Sequence, residues 1–167
     1  MRRSSLMAGA IYAAMVFPSA AFAQQQPAAR PAPPPYGPSV TIDQAKKAVA
    51  AALAEAKKTP SLYAFAVVDP TGSLVYFERM DGAIYAANEV AIRKARTAAM
   101  FKRSTADYFH SMQQGHIFIA TLTPDLVASI GGIPLVVDGK IIGAIGVSGS
   151  SGSTDGGPAQ AGVDALK

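Results

Sequence analysis

The chain has 167 residues, with 15 lysines and arginines against 11 aspartates and glutamates, and no cysteine. The missing thiols exclude disulfides, cysteine-ligated zinc, iron–sulfur clusters and thiol catalysis. Half of the net charge of +4 comes from Arg2 and Arg3, and no basic stripe interleaved with aromatics follows them, so nucleic acid is not an expected partner.

Residues 1–23 read as a secretory signal peptide. Arg2 and Arg3 form the positive start, Leu6 to Phe17 the apolar run, and Ala21-Phe22-Ala23 the small-x-small cleavage pattern. The apolar run of about a dozen residues is too short to span a bilayer, which takes about 20. The expected mature protein is therefore periplasmic or secreted, with no stable membrane insertion. Gln24 to Ser39, which includes "QQQPAARPAPPPYGP", reads as a disordered proline-rich linker of extended, polyproline II character. One domain, residues 40–167, is expected beyond it.

Within that domain, Thr41 followed by Gln44 predicts a capping box, and Ala45, Ala48, Val49, Ala52, Leu53 and Ala56 follow at helical spacing. Thr59-Pro60 stops this first helix. "YAFAVVD" and "LVYFERM", joined by Pro70-Thr71-Gly72-Ser73, read as strand, turn and strand. Ala86 to Phe101 predicts a second helix carrying a Glu89–Arg93 pair at i,i+4, and Ser104 caps a third helix reaching about Gln114. A short strand is expected at Ile117 to Ala120, then a loop. "PLVV", Asp138-Gly139 and "KIIGAIGV" form the strongest hairpin signal, because Asp-Gly suits a type I′ turn. Ser150 to Gly157 is expected to be a flexible loop, and Pro158 to Leu166 a closing helix. The fold class is α+β, with one mainly antiparallel sheet and helices against it.

Glycine crowds Gly131 to Asp155, yet the segment fits no phosphate loop: Gly143 to Ser153 contains no lysine, and Gly143 and Gly146 lie inside a strand pattern. Strand glycines of this kind mark close approach by a backbone or a ligand. Ser148, in "VSGS", lacks the GxSxG elbow and an evident base, so hydrolase chemistry has little support. His110 and His116 are the only histidines. Histidine is a common heme ligand, and a pocket with Tyr108, Phe109 and Phe118 is the expected setting, whereas their spacing does not suit an HExxH zinc site. Met80, Met100 and Met112 are softer candidates whose usual place is the core. Arg79 and Lys94 are cations able to bind a propionate or another carboxylate. With Gly132, Gly146 and Ser148 along the glycine strand, they complete the candidate ligand site.

"GGIPLVVDGKIIGAIGVSG", "AVVDPTGSLVYFERMDGA" and "AIRKARTAAMFKRST", with "AQAGVDAL" at the end, resemble the GlcG/HbpS-like heme-binding family, also called the haem-degrading domain family. The resemblance covers about residues 41 to 167. It implies a profilin-like fold, with a five-stranded antiparallel sheet flanked by helices and assembled into homo-oligomers. Heme is the implied cofactor, bound for sequestration, transfer or sensing; heme degradation is an activity that the resemblance alone suggests. A small-molecule enzyme or metabolite-binding accessory of an organic-acid catabolic pathway is the alternative. A secreted iron-binding member carries paired acids one turn apart near the start of the second helix. Glu89 matches the first, but Ile92 stands at the second, and one carboxylate alone does not chelate a hard cation. The loop holding that member's heme ligand aligns here with Leu126 or Val127, with Thr121 and Thr123 the nearest hydroxyls.

Overall fold

Thr41 and Gln44 do form a reciprocal capping box in the computed structural model, which describes residues 31–149 and 152–167. The expected signal peptide, residues 24–30 of the expected linker, and Ser150 and Ser151 lie outside that range. Helix α1 (Ile42–Ala56) buries Ala45, Ala48, Val49, Ala52 and Ala56, while Leu53 is half-buried. Strands β1 (Ala64–Val68) and β2 (Leu74–Arg79) form the first hairpin, then helices α2 (Ala86–Phe101) and α3 (Thr105–Gln113) follow. Strands β3 (Gly132–Val137) and β4 (Lys140–Ser148) form the second hairpin, and helix α4 (Gly156–Asp164) closes the chain. Asp138 and Gly139 sit at φ 49° and 71°, the left-handed pair that a type I′ turn requires.

The class is the α+β arrangement expected, but among the described residues the antiparallel sheet has four strands, in the order β2-β1-β4-β3, rather than five. The strand expected at Ile117 to Ala120 is a 3-10 turn, Ile117–Thr121. Its amides bond three residues back, Ile119 to His116 and Leu122 to Ile119, and the Thr121 hydroxyl donates to the Phe118 carbonyl at 2.7 Å. These local bonds take the groups a ladder would use. The proline-rich stretch also differs from a free spacer. From Pro35 to Val40 it runs along the start of β4, with Gly37 donating to Ile141, Ile141 to Pro35 and Val40 to Ile142.

Side chains alternate across the sheet and set two unlike layers. Phe65, Val67, Ile145 and Val147 face α1 and α4 and build the main core with Tyr63 and Leu135. Ala64, Ala66, Val68 and Ala144 face α2, which answers with Ala87, Ala91, Ala95, Ala98 and Ala99. Small residues on both sides let α2 lie close to the sheet. At Gly146 a β-carbon would strike the Ala91 carbonyl and come within 2.6 Å of the Ala95 amide nitrogen. The close neighbour expected at this strand glycine is thus the helix backbone.

Candidate functional site

Helix α2 buries one charged side chain against this alanine-lined face, that of Lys94, which is 1% exposed. Its Nζ donates to Asp155 Oδ2 at 2.6 Å and to the Val147 carbonyl at 3.1 Å. Asp155 stands at the N-cap of α4, but its side chain makes no capping bond. It instead reaches Lys94, so one ion pair ties α2 and the start of α4, and a second bond from Lys94 adds the end of β4. The backbone closes tightly around the pair. Gly131, at φ 122°, has no room for a β-carbon, which would strike the Val147 carbonyl and lie 3.3 Å from Lys94 Nζ. Beside it, the Thr105 hydroxyl accepts from the Gly132 amide at 2.9 Å and donates to the Ser129 carbonyl at 2.6 Å.

Burial pulls the Lys94 pKa below its ordinary value; the hydrogen bond and charge of Asp155 act in the opposite direction without restoring it. Asp155 is equally buried, and its second oxygen, Oδ1, has no hydrogen-bond partner among the described residues. Both residues line a cavity of about 260 Å³, whose other walls include Ile84, Val90, Ser129 and Ser148.

The residues singled out in the sequence are not gathered at one place. Lys94 and Ser148 share the cavity. Gly132 packs beneath them, where a β-carbon would strike the Lys94 carbonyl. Gly146 lies under α2. Arg79 lines a separate cleft of about 390 Å³ with Gly82, Ala83, Ile84 and Tyr85, its guanidinium 5.3 Å from the Tyr85 ring centroid. Ile84 borders both spaces.

His110 and His116 are both exposed. The His116 ring stacks on Phe118 at 6.2 Å, and His110 meets Phe109 edge-on at 5.6 Å. Tyr108 turns inward, at 4% exposure, against Phe101, while Phe118 is 61% exposed. Of the apolar pocket expected with Tyr108, Phe109 and Phe118, Tyr108 turns away into the protein and Phe118 stands on the surface. Glu89 pairs with Arg93 at 2.8 Å on the outside of α2. Among the described residues no three histidines or carboxylates gather as a metal would require. Met80 packs against the main core, Met112 is half-buried and Met100 is exposed.

Sequence reading missed Asp155, Thr105 and Ser129. Asp155 sits in what reads as a flexible loop, although Gly156 and Gly157 already belong to α4. An acidic residue directly ahead of "GGPAQAG" is a helix-start signal that points to it.

Residues 40–164 match the family described as haem degrading protein HbpS-like. Protein GlcG of Escherichia coli strain K12 is 41% identical over 100 residues, spanning 60% of this chain and 74% of that protein. The crystal structure of an HbpS double mutant of Streptomyces reticuli aligns with a TM-score of 0.71 at 31% identity, covering 84% of this chain and 99% of that one. The crystal structure of a PduOC:heme complex aligns with a TM-score of 0.70 at 27% identity, covering 77% of this chain and 96% of that one.

Proposed function

This chain belongs to the HbpS-like family, and from that premise we propose that it is an exported, homo-oligomeric heme-binding protein with a profilin-like frame, acting in sequestration, transfer or sensing. The observation that carries the reading is its likeness to PduOC, solved as a heme complex, over nearly all of that chain. The basic, apolar and small-x-small pattern of residues 1–23 supports export.

The chain's own surface fits the group. Ile117, Phe118 and Leu122 are 72%, 61% and 50% exposed on and beside the 3-10 turn, an apolar face on which a macrocycle would rest. His116 lies against Phe118, and His110 lies on α3, six residues earlier. Either imidazole is a suitable axial ligand. Lys94 is a poor propionate partner, because Asp155 already neutralises it. The cavity beside Lys94, about 260 Å³, also falls below the roughly 300–1,000 Å³ of ordinary ligand pockets. The outer surface is thus the better seat. When bound, heme would supply a redox-active iron; His110 or His116 would hold it, and Ile117, Phe118 and Leu122 would cover one face from water.

Hemin titrated into the purified chain should give a saturable shift of the Soret band, reduced by His116→Ala or His110→Ala. A flat difference spectrum would remove the heme reading, and a shift indifferent to both substitutions would remove histidine ligation.

A further inference from the structure

The cavity at Lys94 asks for a ligand of a different kind from heme. An ammonium has three donors. Lys94 spends two, on Asp155 and on the Val147 carbonyl, and keeps one. Asp155 is 1% exposed, lines the same cavity, and leaves its Oδ1 without a donor among the described residues. The site therefore offers one spare donor and one spare acceptor side by side. A buried carboxylate oxygen left unpaired is costly, so whatever enters is selected for supplying a hydrogen to it.

Charge narrows the class further. Lys94 and Asp155 together are neutral, and both are 1% exposed in their side chains. A carboxylate or an amine entering beside them would set one uncompensated charge against this desolvated pair. A hydroxyl brings none, and its single oxygen both donates and accepts. Ser129 and Ser148 add polar wall on one side, while Ile84, Ala87 and Val90 supply an apolar wall for carbon. The volume of about 260 Å³, against about 30 Å³ per liquid water, admits a small molecule and excludes a tetrapyrrole.

We propose that the cavity between α2, the end of β4 and the start of α4 is a binding site for a small uncharged hydroxy compound, whose hydroxyl donates to Asp155 Oδ1 and accepts from Lys94 Nζ. This site is independent of the heme surface. It changes what Lys94 recognises: a neutral alcohol, not the carboxylate that a lone lysine would attract.

Saturation-transfer NMR on the purified chain tests it, with propane-1,2-diol as the uncharged probe and acetate as the anionic one. The diol should receive saturation from the protein and acetate should not. Asp155→Asn is the obvious variant but breaks the buried pair, so Ala86→Trp serves better. Ala86 is exposed at the cavity wall, so an indole there takes up cavity space while Lys94 and Asp155 keep their own side chains. With circular dichroism unchanged, Ala86→Trp should weaken diol binding at least tenfold and leave the hemin response as it was. Three results would overturn the proposal: no transfer to the diol, which makes the cavity a water site; transfer to acetate equal to or above that to the diol; or diol binding that survives Ala86→Trp. A failed hemin titration leaves all three readouts standing, so the two readings fail separately.

Discussion

Arg93 and Lys94 are neighbours on one helix, each paired with a carboxylate, yet the two pairs differ in nearly everything except distance. Arg93 meets Glu89 at 2.8 Å with side chains 40% and 60% exposed; Lys94 meets Asp155 at 2.6 Å with both at 1%. The outer pair is local, one helical turn apart, and water screens it. The inner pair joins residues 61 apart in sequence, and both of its side chains are almost wholly withdrawn from solvent. Geometry alone would rank them equal. Burial makes one a surface decoration and the other a tie between α2 and α4.

Breaking the inner pair should have the largest effect. Asp155→Ala strands a buried ammonium and should cost about 3–5 kcal/mol in urea unfolding. Replacing both partners, Lys94→Met with Asp155→Leu, should restore most of that loss, because no uncompensated charge remains. If the double variant is as unstable as the single one, the pair is not what separates the two faces of α2.

Crowding around the inner pair comes next. Gly131→Ala forces a β-carbon into the Val147 carbonyl at a φ of 122°, and should cost about 1–3 kcal/mol by the same denaturation. An unchanged midpoint would mean that the backbone there yields freely.

A smaller effect lies in the alkaline limb of stability. The folded-state pKa of Lys94 is lowered chiefly by burial from its ordinary 10.5. Between that lowered value and 10.5 the unfolded chain holds a proton that the folded chain has released. Stability therefore rises with pH through this window, and the gain is lost as pH falls through the folded value. Tyr108, raised by burial, and Tyr76, raised by its hydrogen bond with Glu78, oppose this near and above pH 10. Both occur in the wild type and the Lys94→Met/Asp155→Leu variant, so the difference between their pH profiles should isolate a positive Lys94 slope. A flat difference would show that Lys94 titrates alike in both states.

The smallest effect belongs to the outer pair. Glu89→Gln should leave the melting temperature unmoved within error, as exposed pairs contribute little. A clear drop would erase the contrast.

The same division explains what could be read from residues alone. The α1 capping box, the bounds of α2 and the Asp138-Gly139 turn are settled by neighbours within a few positions, and all three follow from local chemistry. The family resemblance likewise rests on contiguous blocks. The region around Ile117 failed because its β-branched and aromatic residues match a strand in composition, while pairing depends on an available edge. Lys94 and Ser148 were legible as candidates, but Asp155 was not, since nothing near residue 155 announces a lysine on α2. The two histidines were legible as ligands but not as exposed ones.

Local patterning thus determined the element types, the apolar stripes and the turn at Asp138-Gly139, because each depends on periodicity or on backbone dihedrals within one segment. Three things were decided only in the folded chain: a sheet of four strands, histidines left on an open apolar surface, and a lysine neutralised by an aspartate from a distant helix start. Each depends on which segments pack together and how much water they exclude, and no short stretch of sequence carries that information.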